Sequence, residues 1–231
     1  MKYPKVLGEY QTLATLLETG KSIARFGDGE FKLMAGFDQM REPANEALAK
    51  ELRRIVKKPP KDCLVGIPTL DDKGPKYLNW RQRARERFLP FLAKDVQYYS
   101  AFISRPDSAP WIRSFNYAES FVRLWKDKHV TLVAEEGTAI MRLLERTAAR
   151  EQWEYLTCPH RETYAQADDL EAELRLLSPD VVLLSCGPSA SCLAARLSDS
   201  MQALDVGSVG GFLLRQLYKQ GSESDGRTIE E

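Results

Sequence analysis

Short apolar runs alternate with longer amphipathic segments along almost the whole chain. Residues 10–17 carry apolar positions at helical spacing and stop at Gly20. Residues 22–26 then read as a short strand running into Gly27-Asp28-Gly29. The spacing predicts a helix from about Pro43 to Val56, with proline in its first turn and Leu48, Leu52 and Ile55 along one face, ended by Lys57-Lys58-Pro59-Pro60. Strands are expected at 63–67, 98–104, 130–134, 154–157, 180–185 and 203–206. Helices are expected at 80–91, 111–125, 138–150, 166–177, 189–197 and 211–217.

Strand following helix at this cadence predicts a Rossmann-like α/β fold: an open, mainly parallel sheet with helices on both faces. The run Val181-Val182-Leu183-Leu184 is apolar at every position, as suits an inner strand covered on both sides. One domain is expected over residues 1–220. The polar stretch 221–231 has little to bury and reads as a disordered tail.

Composition narrows the function classes. The chain has 231 residues, with 33 Lys+Arg against 33 Asp+Glu, so its net charge of zero gives no footprint for nucleic acid. Its longest apolar runs fall far short of the roughly 20 residues of a membrane span. The start, Met-Lys-Tyr-Pro-Lys-Val-Leu-Gly, lacks an apolar signal core, so a cytoplasmic protein is expected. Cys63, Cys158, Cys186 and Cys192 match no zinc or Cys-x-x-Cys spacing and read as reduced thiols packed as small hydrophobes.

In such sheets ligands bind beyond the carboxyl ends of the strands, which selects three loops. In Arg25-Phe26-Gly27-Asp28-Gly29-Glu30-Phe31, glycines permit a sharp turn, and Asp28 and Glu30 are hard oxygen donors suited to Mg²⁺ or Mn²⁺. Arg25 is placed to pair with a carboxylate or a phosphate. The same residues also suit a solvated Asp-Gly turn with Glu30 starting a helix. In Ser185-Cys186-Gly187-Pro188-Ser189-Ala190-Ser191, the backbone amides and the start of a helix favour an anion, with Ser189 and Ser191 as hydroxyl donors. An ordinary capped helix explains that loop equally well. In Asp205-Val206-Gly207-Ser208-Val209-Gly210-Gly211, the glycines suit either close approach of a ligand or a tight turn, and Asp205 lies at the sheet's carboxyl edge. Glu135 and Glu136 follow another strand. Arg81, Arg83, Arg85 and Arg87 form a basic helix face, and His129 and His160 are not read as a pair.

Taken in order, these blocks resemble the GT-D glycosyltransferases, once catalogued as the domain of unknown function DUF1792. Residues 22–31 resemble the family's first motif, Leu64-Val65-Gly66-Ile67-Pro68 its second strand, and Phe102-Ile103-Ser104-Arg105-Pro106 a later block. Cys186-Gly187-Pro188-Ser189-Ala190 with Gln202-Ala203-Leu204-Asp205-Val206-Gly207 is similar to its last two strand-loop units. The resemblance runs from about residue 9 to 217. Residues 208–212 and 137–142 depart from the family pattern.

The resemblance implies transfer of a sugar from a nucleotide-diphosphate donor, with a UDP-sugar expected, to a glycan, glycoprotein or lipid-linked acceptor in bacterial surface polysaccharide assembly. It implies an Asp-x-Glu motif for Mn²⁺ or Mg²⁺, carried here by Asp28 and Glu30. Arg25, Gly27, Gly29, Gly187, Pro188, Ser189, Gly207 and Ser208 are the expected substrate-side residues. Asp205, Glu135 and Glu136 are the candidates for the base an inverting route needs. Contact with the inner membrane face and a homodimer are both compatible with this reading. The rival readings are a non-catalytic sugar-nucleotide or glycan module, and another Rossmann-type transferase or dehydrogenase. The last lacks a Gly-x-Gly-x-x-Gly fingerprint after the first strand.

Overall fold

The computed structural model describes residues 2–70 and 86–218. Eight strands form one sheet: β1 (Val6–Leu7), β2 (Ser22–Arg25), β3 (Cys63–Ile67), β4 (Tyr98–Ser100), β5 (Val130–Ala134), β6 (Trp153–Thr157), β7 (Val181–Ser185) and β8 (Gln202–Asp205). Their order across the sheet is β1-β4-β3-β2-β8-β7-β5-β6, and every pairing is parallel. The expected mainly parallel sheet is therefore wholly parallel.

The helices are α1 (Glu9–Thr19), α2 (Asp28–Met34), α3 (Glu46–Lys57), α4 (Phe115–Val122), α5 (Ala139–Thr147), α6 (Ala167–Leu177), α7 (Ser189–Leu197) and α8 (Gly210–Tyr218). They divide between two cores. Buried residues of α2, α3, α6 and α7 pack on one face of the sheet, and those of α1, α4, α5 and α8 pack on the other. Successive strand side chains alternate between the two: Val182 and Leu184 join the first core, Val181 and Leu183 the second. The apolar run Val181–Leu184 of β7 is thus what a strand between two helical layers requires.

Several boundaries differ from the periodicity for local reasons. The α3 helix begins at Glu46 and not at Pro43, because Asn45 Oδ1 accepts from the N–H groups of Ala47 (2.9 Å) and Leu48 (3.2 Å). The expected strand 98–104 stops at Ser100, whose hydroxyl accepts from Phe102 N–H at 3.1 Å and turns the chain into a 3₁₀ segment, Ala101–Ser104. The expected helix 111–125 splits into a 3₁₀ turn, Pro110–Ile112, and α4, which Ser114 caps through Tyr117 N–H. The short strand β1 is an addition, and the helix that the turn reading began at Glu30 begins at Asp28 as α2. The predicted helix 80–91 falls largely outside the described residues, as do Arg81, Arg83, Arg85 and the 221–231 tail. Among the described residues no helix is long and apolar enough to cross a membrane.

The topology fixes where a ligand can enter. From β2 the chain leads into α2 on one face; from the neighbouring β8 it leads into α8 on the other. The loops leaving these two strands diverge, so a crevice opens between their carboxyl ends, the switch point of a doubly wound sheet.

Candidate functional site

Strands β2 and β8 are in register only at Ile23 and Leu204. Beyond that pair, side chains replace the ladder. Arg25 Nε donates to the Asp205 carbonyl at 2.5 Å, and Nη2 donates to Asp205 Oδ1 at 2.7 Å. The Arg25 N–H faces Oδ2 at 3.3 Å, and Nη1 reaches the Ala101 carbonyl at 3.3 Å. The hydroxyl of Ser191, on α7, bonds the Arg25 carbonyl at 2.7 Å and Asp205 Oδ2 at 3.2 Å. The ion pair is nearly dry, with side-chain exposures of 11% for Arg25 and 5% for Asp205. Asp205 is thereby saturated with donors and fixes the Arg25 guanidinium at the floor of the crevice.

The acidic turn sits directly above. Phe26 is fully buried and plants the turn in the core, and α2 starts at Asp28. Asp28 and Glu30 occupy the first and third helical positions, so their side chains leave the helix in different directions. Glu30 folds back and accepts from Gly27 N–H at 2.6 Å. Burial raises its carboxyl pKa above the ordinary value, and the charge of Asp205 adds to this; backbone hydrogen bonds and Arg25 pull the other way. Asp28 stays partly exposed, 2.6 Å from Lys32 Nζ and 3.8 Å from Arg87 Nη1. Gly29 packs on the Gln39 side chain.

Among the described residues no three His, Cys, Asp or Glu side chains form a group able to hold a metal ion. One or two carboxylates completed by water and substrate oxygens is instead the usual Mg²⁺ arrangement. The donor set fits a cation carried in with a diphosphate and not a resident one.

The Gly187 turn lies one strand beyond Asp205. The first turn of α7 closes on itself, with Ala190 N–H bonding the Gly187 carbonyl and Ser191 N–H bonding that of Pro188. The N–H groups left for an anion are those of Gly187 and Ser189. The serine hydroxyls, in contrast, do not serve as expected. Ser189 Oγ is fully buried and donates to Glu42 Oε1 at 2.7 Å, and Ser191 Oγ is used between β2 and β8. Gly207, at φ +51°, lies against Arg25, where a Cβ would overlap Nη2, and its carbonyl accepts from Ser185 Oγ at 2.9 Å. Ser208 is exposed.

Two residues that periodicity does not single out complete the edge. Glu42, only 3% exposed, accepts from Ser189 Oγ and from Tyr164 N–H at 3.0 Å, which pins the loop between α2 and α3 across the sheet. Arg41, beside it, reaches Glu135 Oε1 at 2.6 Å. Glu135 also meets His160, while Glu136 is exposed.

Fold and site together define an α/β domain whose candidate ligand site is the carboxyl edge of a doubly wound sheet. A guanidinium, a carboxylate turn and a helix-opening amide turn lie close around its crevice. Residues 23–212 match the family described as glycosyltransferase GT-D fold, and the chain belongs to that family of glycosyltransferases.

It is similar to glycosyltransferase GlyD of Streptococcus pneumoniae serotype 4, with 24% identity over 230 residues, covering 89% of this chain and 27% of that protein. It is also similar to the probable glycosyl transferase Gly of Streptococcus gordonii, with 28% identity over 226 residues, covering 88% of this chain and 32% of that protein. The chain therefore spans about a third or less of these relatives' length. Among solved structures, one described as a domain of unknown function 1792 with a distinct glycosyltransferase fold superposes with TM-score 0.78 at 27% identity, covering 94% of this chain and 82% of that one. A DUF1792 glycosyltransferase from Streptococcus sanguinis shares the fold at TM-score 0.76 and 24% identity, covering 98% of this chain and 88% of that one.

Proposed function

We propose that this domain moves a sugar from a nucleoside-diphosphate donor, a UDP-sugar, to a glycan, glycoprotein or lipid-linked acceptor in surface polysaccharide assembly on the cytoplasmic side. The observation that carries the reading is the placing of Arg25, the Asp28–Glu30 turn and the Gly187 turn around one crevice. Each suits a different part of a diphosphate. Arg25, held in place and neutralised by Asp205, keeps one N–H on each Nη for a phosphate oxygen, fixed before charge develops on the leaving group. The N–H groups of Gly187 and Ser189 add the positive end of α7.

Asp28 is the accessible carboxylate for Mn²⁺ or Mg²⁺, and Glu30 is the second once its bond to Gly27 yields. When bound, the cation supplies neutralising charge to the departing diphosphate. Asp205, saturated by Arg25 and Ser191, acts in this scheme by holding Arg25 in place.

The test is thermal shift and calorimetry with UDP in the presence and absence of Mn²⁺, followed by donor turnover in Asp28→Asn and Glu30→Gln. Each variant is expected to melt close to the parent and to lose transfer. Full activity of the double variant without Mn²⁺ refutes the assignment. UDP binding without turnover of any donor by the parent supports the non-catalytic binding module instead.

A further inference from the structure

The carboxyl edge carries a second charged group that the donor side leaves unused. Glu135, the first residue past β5, is gripped from two sides: Arg41 Nη1 lies 2.6 Å from Oε1, and His160 Nδ1 lies 2.7 Å from Oε2. Neither partner arrives by chance of surface mobility. Arg41 stands beside buried Glu42, and its carbonyl accepts from Glu162 N–H at 2.8 Å. Thr163, three residues past His160, is buried and bonds the Pro159 carbonyl at 3.0 Å. The Arg41 side chain runs along Gly187, so the group borders the amide turn assigned to phosphate.

Its electrostatics fix one tautomer. The hydrogen bond with His160, opposed by burial and aided by Arg41, holds the Glu135 carboxyl below its ordinary pKa, so it is ionised and can only accept. Nδ1 of His160 must then carry the hydrogen, and in the neutral ring the lone pair lies on Nε2. The His160 side chain is 62% exposed, and Nε2 has no protein partner among the described residues. The chain's other histidine, His129, pairs loosely with Glu154 at 3.7 Å at the opposite, amino edge of the sheet. Three strand spacings of about 4.8 Å separate the ends of β2 and β5, which puts Glu135 roughly 14 Å from Arg25 with the Gly187 turn between them. The group therefore lies on the β5 side of the Gly187 turn, away from Arg25.

Resting on the transferase reading above, we infer that His160, oriented by Glu135, is the general base that takes the acceptor's proton. In this step the acceptor O–H proton passes to Nε2, and the acceptor oxygen bonds to C1 of the sugar. The C1–oxygen bond to the diphosphate breaks, its electron pair leaves on the nucleoside diphosphate, and the anomeric configuration inverts. The charged and titratable groups around the pair are Arg41, Glu136, Tyr155 and Cys158.

The experiment uses the full chain and a panel of UDP-sugars with water as acceptor, reading UDP release, the anomer formed and the pH profile. Calorimetry with UDP runs in parallel. The parent rate is expected to rise with pH to a plateau. His160→Asn should lower kcat by about 100-fold or more, the usual worth of a general base, remove that limb and leave UDP affinity unchanged. Glu135→Gln should give a smaller loss and displace the limb. Parent turnover with His160→Asn within threefold of it and the same limb, or a retained anomer, overturns this inference alone. A parent that binds UDP but releases none from any donor, or that binds no UDP, overturns the transferase reading and the inference with it.

Discussion

The ion pair between Arg25 and Asp205 is where the two halves of the sheet depend most on side chains, and Asp205→Asn probes it. The substitution keeps the shape and removes the charge. Arg25, at 11% side-chain exposure, then keeps its charge without a counterion, and the backbone ladder beside it offers only the Ile23–Leu204 register to compensate. Removing one partner of a buried pair costs about 3–5 kcal/mol. For a domain of this size each kcal/mol lowers Tm by about 2–4 °C, so a fall of about 6–20 °C is expected. Urea denaturation followed by circular dichroism gives the free energy directly.

The companion variant Arg25→Met/Asp205→Leu removes both charges and should recover much of the loss, because the penalty comes from the orphaned charge and not from the missing attraction. The cycle of single and double variants isolates the coupling. An Asp205→Asn cost below about 1 kcal/mol, as for a solvated pair, refutes the reasoning. So does a double variant as unstable as the sum of the singles.

Other outcomes follow from the same coordinates. Gly207→Ala forces a side chain into the left-handed region at φ +51° and against Arg25. A loss of more than about 1 kcal/mol in urea titrations is expected, together with weaker UDP binding by calorimetry. Glu51 is buried enough to raise its pKa, but the fork of Arg196 (both contacts 2.7 Å) and the Tyr164 hydroxyl (2.7 Å) outweigh this and hold it below the ordinary value. Its contribution is therefore complete above the unfolded carboxyl pKa and is lost as pH falls through the folded one. Glu51→Gln should cost about 2 kcal/mol at pH 7, and denaturation midpoints of variant and parent should converge as pH falls below the ordinary carboxyl range. Burial pushes the Cys63 thiol up to about 12 and raises Cys192. A hydrogen bond between Cys186 and Cys158, reinforced by burial, raises Cys186, while that bond lowers Cys158. Native thiol titration should thus label Cys158 first, and Cys158→Ser should delete that phase.

The inner strands were legible because burial on both faces leaves a nearly continuous apolar run, interrupted by Thr131 in 130–134 and ended by Ser185 in 181–185. The expected span 130–134 matches β5 residue for residue. The start of helix α2 was hidden because Asp28-Gly29 has the chemistry of a turn, and only Glu30 folding back to Gly27 makes it a capped helix start. Strand β1 has two residues and no period to read. At the site, Arg25, Glu30 and Asp205 could be named from loop chemistry at strand ends, and the structure brings them together. Arg41, Glu42 and His160 could not be placed, because their partners lie 25 to 147 residues away in sequence. A buried acid in a loop leaves no local periodic mark. The engagement of the Ser189 hydroxyl was hidden for the same reason: it donates to Glu42.

Gly210, the first residue of α8, meets the start of α5 so closely that a methyl group there would overlap the backbone of Ile140. The crossing of those helices is thus set by an atom that is missing. Any larger side chain would lever α8 outward, and the short link back to Asp205 would carry the displacement to the rim of the crevice. The packing of Gly210 on α5 therefore bears on the position of the loop that carries Asp205 and Gly207.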